Sequence, residues 1–143
     1  MNIVTFIPAR GGSKGIKNKN IIKIDKKPLI FYSIDISKKI NLINQTFVSS
    51  NSKKILDISK TLGATIIKRP EKISGDRATD IQAFKHFYKY YKRTYKKKID
   101  LIISLRARIA FKKKKTIIKL INIMMKNRQY SSLRCFVKSS HSP

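Results

Sequence analysis

Residues 7 to 20, IPARGGSKGIKNKN, place two adjacent glycines, a serine and a cluster of bases directly after an apolar run. Gly11 and Gly12 carry no Cβ, so the backbone can approach a ligand closely, adopt positive φ and turn its N–H groups toward an anion. Arg10, Lys14 and Lys19 add positive charge, and a guanidinium presents the donor fork that fits a phosphate. The chemistry this stretch suits is anion binding, above all of phosphate. It matches neither the G-x-x-x-x-G-K-S/T loop nor G-x-G-x-x-G. A basic turn joining a strand to a helix would use the same residue types, and from the residues alone both readings stand.

Little else in the chain has the composition of a reactive centre. Cys135 is the one cysteine, which excludes an internal disulfide and a cysteine-rich metal site; within an apolar run it reads as a small buried residue. His86, inside a helical pattern, and His141, near the end, read as structural or solvent-facing. Of the seven acids, Asp25, Asp76, Asp80 and Asp100 could touch a metal, but their spacing forms no convincing cluster, so no metal ligand is assigned.

The formal net charge of +27, from 34 Lys+Arg against 7 Asp+Glu, suggests a nucleic-acid or other polyanionic partner. Most of these bases are lysines in a chain also crowded with Ile and Asn, a pattern that A+T-rich coding produces without selection for binding. KHFYKYYKRTYKKK (85–98) interleaves aromatics with bases as single-strand binders do, yet its spacing equally fits a helix with one apolar and one lysine face. KKKK (112–115) reads as a solvated helix entrance. No run reaches the roughly 18 apolar residues of a membrane span, and the first residues lack a signal-peptide pattern, so a reduced cytoplasmic setting is expected.

The elements that must position the loop follow from periodicity. NIVTFI (2–7), TFVSS (46–50), ATIIK (64–68), DLIISL (100–105) and YSSLRCFV (130–137) read as strands, with DLIISL strongly buried. Helices are expected over 28–40, opened by Pro28, over 52–63, capped by Ser52 and ended by Gly63, from Thr79, and over 114–126. The Thr79 helix has a capping box with Gln82, and Ile81, Phe84, Tyr88 and Tyr91 are expected on its apolar face. Strands alternating with helices through long connections predict a doubly wound α/β fold with a mostly parallel sheet, and ligands in such sheets bind beyond the carboxyl ends of the strands.

IPARGGSKGIKNKNI resembles the N-terminal signature of the acylneuraminate cytidylyltransferases, the CMP-sialic acid synthetases. Further similarities follow in order: KPLIFYSI, FVSSNS, GATIIKRP, SGDRATDIQAFKH and the closing HSP. The resemblance implies a Rossmann-like nucleotidyltransferase fold of the nucleotide-diphospho-sugar transferase type, here one domain over 1–143 that lacks the family's C-terminal part. It implies CTP and an acidic nine-carbon sugar as substrates, Mg²⁺ as cofactor, and pyrophosphate release after the sugar's anomeric hydroxyl attacks the α-phosphate. Lys19 and Arg10 would then be catalytic, while Gly11, Gly12, Ser13, Lys14, Asn20 and Arg69 would hold the nucleotide.

The sequence also departs from the family pattern. LRARIAFK (105–112) stands where the family has Leu-Gln-Pro-Thr-Ser-Pro-Leu-Arg, with Arg106 at a sugar-site Gln and Arg108-Ile109-Ala110 at Thr-Ser-Pro. Asn51 replaces an Asp and Lys17 a Pro. The family's later dimerisation segment and metal-holding carboxylate pair have no counterpart, which implies a truncated member with weak or no activity of its own. The alternative is a catalytically dead remnant that binds nucleic acid or another polyanion through its basic surface.

Overall fold

The computed structural model describes residues 1–12 and 19–135. The chain divides into two units, Met1–Lys112 and Lys113–Pro143. The first unit contains β1 (Ile3–Pro8), β2 (Lys23–Ile24), β3 (Lys27–Pro28), α1 (Leu29–Lys38), β4 (Gln45–Ser50), α2 (Lys53–Thr61), β5 (Thr65–Lys68), α3 (Asp80–Tyr95) and β6 (Leu101–Ser104). In the second unit, the amphipathic pattern KKTIIKLINIMMK forms α4 (Lys114–Lys126), on which Ile117 and Ile121 are buried.

Four of the strands form one parallel sheet in the order β5-β4-β1-β6. β1 is paired on both edges, and Ile3 to Ile7 are all buried, as expected of a central strand covered on both faces. Its side chains alternate: Val4 and Phe6 join Phe47, Ile67, Ala83, Phe87 and Tyr91 in the core beneath α3. Phe6 and Phe87 stack with ring centroids 4.6 Å apart, and Phe47 meets Tyr91 edge-on at 5.6 Å. Each such buried ring stabilises the fold by about 1.5–3 kcal/mol. On the opposite face Thr5 and Thr46 meet α1, where the Ser37 hydroxyl donates to Thr5 Oγ1 at 2.7 Å and lies 2.7 Å from Thr46 Oγ1. Helices thus cover both faces of a parallel sheet, the doubly wound α/β arrangement expected from the sequence.

Local signals set the helix ends. Pro28 takes the cap position of α1 with φ −62°, and Ser52 accepts from the Ile55 N–H at the start of α2. Gly63 closes the turn after α2 at φ +83°. The Thr79 N–H donates to Gln82 Oε1 at 2.9 Å, the reciprocal half of the capping box.

Other expectations are corrected. Of the face expected on α3, Tyr91 is buried and Phe84 packs against the core, whereas Ile81 and Tyr88 are 63% and 48% exposed, and Ala83 and Phe87 are buried instead. Phe84, Phe87 and Tyr91 all meet the rings of Phe6 or Phe47, which fixes the side of the helix that is buried. β6 is only partly buried because it pairs on one edge, with β1. The strand expected over 130–137 is not formed in its described part, 130–135, and Cys135 there is exposed. A hairpin absent from the sequence reading, β2–β3, turns at Asp25 and Lys26 with φ +48° and +62°, without the glycine that usually marks such a turn.

Candidate functional site

Because β1, β4, β5 and β6 run parallel, their carboxyl ends lie on one edge, which gathers the loop after β1, residues 51–52, residues 69–79 and residues 105–112. The chain steps from β1 outward to β4 and β5, then returns to place β6 on the other side of β1. Such a reversal is the place where parallel α/β sheets bind ligands.

The glycine loop leaves the central strand at this point. The Ala9 N–H donates to the Ser49 carbonyl at 2.9 Å, carrying the β1–β4 ladder one residue past the strand. The Gly11 N–H donates to Asn51 Oδ1 at 2.9 Å, and Asn51 Nδ2 donates to Glu71 Oε2 at 2.9 Å, so one amide side chain clips together the loops after β1, β4 and β5. A Cβ on Gly11 would lie 3.0 Å from Ser52 Cβ, so any larger residue there would press on the start of α2. Gly12 has φ +72°, the left-handed conformation that glycine adopts freely.

Arg10 donates to the Gly75 carbonyl at 2.6 Å and pairs with Asp76 at 3.5 Å. Asn20 Nδ2 donates to the Arg10 carbonyl at 2.9 Å, folding the far end of the loop back onto its start. Lys19 opens the short 3₁₀ turn Lys19–Ile21 beside it. The structure therefore brings together Arg10, Gly11, Gly12, Lys19 and Asn20. Ser13, Lys14 and Lys17 lie outside the described residues, as do His141 and the HSP step.

Arg69, the remaining predicted site residue, is 6% exposed at the end of β5 and donates to the Ser49 carbonyl at 3.2 Å. Burial, followed by the Arg10 charge, pushes its guanidinium below the usual arginine range, and Asp80 partly offsets this. Three buried side-chain atoms have no hydrogen-bond partner among the described residues: Arg69 Nε, Ser49 Oγ and His86 Nδ1. His86 is pushed below its ordinary value by burial and then by Arg69 and Arg93, so its imidazole is neutral at pH 7. Sequence reading missed Ser49 and gave His86 a bland role.

The loop after β6 is also tied down. Arg106 pairs with Asp80 at the start of α3, and the buried Ser33 hydroxyl donates to the Arg106 carbonyl at 3.2 Å. Lys112 donates to Ser33 Oγ at 2.7 Å and to the Ile109 carbonyl, and burial lowers its ammonium to about 8. Arg108 and Ile109 are exposed. No group of three or more His, Cys, Asp or Glu among the described residues is placed to hold a metal ion. Asp76 and Asp80 are paired with arginines, Asp100 accepts from the Asn2 N–H at 2.7 Å, and Asp25 sits in the hairpin turn. No described helix is long and apolar enough to cross a membrane.

Comparison with known proteins places this arrangement. Residues 4–143 match the family model described as cytidylyltransferase. Over 142 residues the chain is 32% identical to the post-translational flagellin modification protein B of Campylobacter coli, covering 99% of this chain and 60% of that protein. Over 89 residues it is 34% identical to the N-acylneuraminate cytidylyltransferase of Escherichia coli O18:K1:H7, covering 62% of this chain and 21% of that protein. The matches thus span less than two thirds of the length of these relatives. Among solved structures it resembles CMP:2-keto-3-deoxy-manno-octonic acid synthetase complexed with CTP, with TM-score 0.70 and 17% identity over 90% of this chain and 49% of that one, a likeness of fold. Because the family model matches residues 4–143, nearly the whole of this chain, the chain belongs to the cytidylyltransferase family.

Proposed function

We propose that this chain forms the nucleotide-binding part of an enzyme that transfers CMP from CTP to an acidic nine-carbon sugar of the sialic type. The observation that carries the reading is the Arg10-Gly11-Gly12 turn at the carboxyl end of the central strand, clipped by Asn51 and flanked by the buried Arg69. Arg10, Gly11, Gly12, Ser13, Lys14 and Asn20 would receive the triphosphate, with Arg69 framing the pocket. The sugar's anomeric hydroxyl would attack the α-phosphate: its oxygen–phosphorus bond forms, the bond to pyrophosphate breaks, and the hydroxyl proton passes to solvent. Lys19 would stabilise charge developing at the α-phosphate. Positioning and electrostatic stabilisation supply most of the rate in phosphoryl-type transfers. Mg²⁺ at this edge would draw its oxygen ligands mainly from the triphosphate.

The sugar class rests on relatives named for sialic-type substrates. A second reading, polyanion binding, is favoured by the charge of +27 and by the lysines 85, 89 and 92 on the solvent side of α3. Calorimetric titration with CTP, then with an oligonucleotide at rising salt, separates the two. The first reading expects saturable CTP binding that falls at least about tenfold in Arg10→Ala or Lys19→Ala. Oligonucleotide binding with a steep salt slope and no CTP binding would replace it with the second. Pyrophosphate release on adding a sialic acid to the chain with CTP tests catalysis directly.

A further inference from the structure

Three aromatic rings stand in a row on the surface of the first unit. The Phe31 and Tyr32 rings at the start of α1 meet edge-on with centroids 5.4 Å apart, and Tyr32 lies 5.9 Å from Phe111 in the loop after β6. Phe111 is 83% exposed, and Phe31 and Tyr32 are partly exposed. A single exposed ring is ordinary, whereas adjoining exposed rings form a patch that a partner can cover. Bases stand beside the row. Lys23, Lys26 and Lys27 on the β2–β3 hairpin are exposed, and none pairs with a carboxylate among the described residues. Lys27 Nζ sits 4.6 Å from the centre of the Phe31 ring. The Tyr32 hydroxyl donates to the Ile24 carbonyl at 2.7 Å, so one ring of the row also holds the hairpin and its lysines in place.

Charge decides what such a surface receives. A second copy of this chain would bring the same net charge of +27 and be repelled. An anionic partner with flat π faces meets both features, its phosphates on the lysines and its bases on the rings. We infer that the β2–β3 hairpin and the Phe31–Tyr32–Phe111 row form a binding platform for single-stranded nucleic acid. The platform uses none of the residues placed in the nucleotide site, so it stands apart from the CTP reading. The lysines supply affinity that falls with salt, and Phe111, the most exposed of the three rings, supplies the main stacking face.

Fluorescence anisotropy of the full chain tests this with two labelled probes, an oligothymidylate of about twelve nucleotides and an abasic sugar-phosphate strand of the same length and charge. The oligothymidylate is expected to bind at least about fivefold more tightly than the abasic strand, and Phe111→Ala to abolish that preference. Replacing Lys23, Lys26 and Lys27 together by glutamine is expected to reduce the slope of log affinity against log salt by about 2. Because Phe111 lies outside the core, its replacement leaves the fold intact, which circular dichroism checks. No binding of the oligothymidylate, equal affinity for the two strands, a preference that survives in Phe111→Ala, or a slope that the three glutamines leave unchanged overturns the proposal. So does a dimer seen by sedimentation that Phe111→Ala dissociates, since the face then belongs to a second copy. CTP binding is expected to be equal in Phe111→Ala and the unchanged chain; a CTP affinity that falls with the oligothymidylate affinity would put the strand in the nucleotide site and overturn the platform. Absence of CTP binding beside a Phe111-dependent preference removes the nucleotide reading and supports this one.

Discussion

Replacing Asn51 by alanine removes two hydrogen bonds at once, the 2.9 Å bond from the Gly11 N–H and the 2.9 Å bond to Glu71. A net hydrogen bond contributes about 0.5–1.5 kcal/mol. The Gly11 bond is partly shielded from water and falls in the middle of that range; the Glu71 carboxylate is exposed, which puts its bond at the low end. Asn51→Ala is therefore expected to lose about 1.5 kcal/mol of stability. It should also weaken CTP binding about three- to tenfold, because the glycine loop loses the tie that orders it before the ligand arrives. Asn51→Asp divides the two bonds. Its carboxylate still accepts from Gly11 and strengthens that bond, but it faces Glu71 as a like charge, so a loss of about 0.5–1 kcal/mol at pH 7 is expected. Adding Glu71→Gln, which restores a donor opposite Asp, should recover most of it. Urea denaturation gives the stabilities and calorimetric titration the affinities. Asn51→Ala matching the unchanged chain in both, or Asn51→Asp proving less stable than Asn51→Ala, would refute the view that this side chain clips the loops.

Gly12→Ala forces a side chain into φ +72° and should cost about 1–2 kcal/mol in the same urea series, with Gly12→Asn costing less. Phe87→Ala empties the centre of the α3 core, and a loss of about 3–5 kcal/mol is expected; a loss under about 1 kcal/mol would mean that α3 does not rest on this ring. Lys112, lowered to about 8 by burial, holds fewer protons folded than unfolded between pH 8 and its ordinary value near 10.5. Its charge therefore opposes folding below pH 8, and the opposition fades as pH rises through that window. Urea melts at pH 7 and pH 10 should show Lys112→Met gaining on the unchanged chain at pH 7 relative to pH 10; a constant difference contradicts the burial.

The sequence by itself determined the alternation of strands and helices, the parallel sheet and the glycine loop. Each is written in local signals: β-branched runs such as IVTFI, the Ser52 cap, Gly63, and two glycines followed by bases. It also carried the family, through motifs spread in order along the chain. What it left open depended on contacts between distant residues. Ile81 and Tyr88 share helical spacing as good as that of Ala83, Phe87 and Tyr91, and only the rings of Phe6 and Phe47 decide which stripe is buried. The YSSLRCFV run reads as a strand, but over 130–135 it forms none, since a strand requires pairing that its own residues do not provide. Asn51, Glu71 and Ser49 gained roles because parallel strands bring their carboxyl ends to one edge, which places residues 20 to 40 apart in sequence within hydrogen-bonding reach. Local spacing can specify a loop able to hold a phosphate; which distant side chains brace it, and which buried charges it shares, is settled by the packing of the sheet.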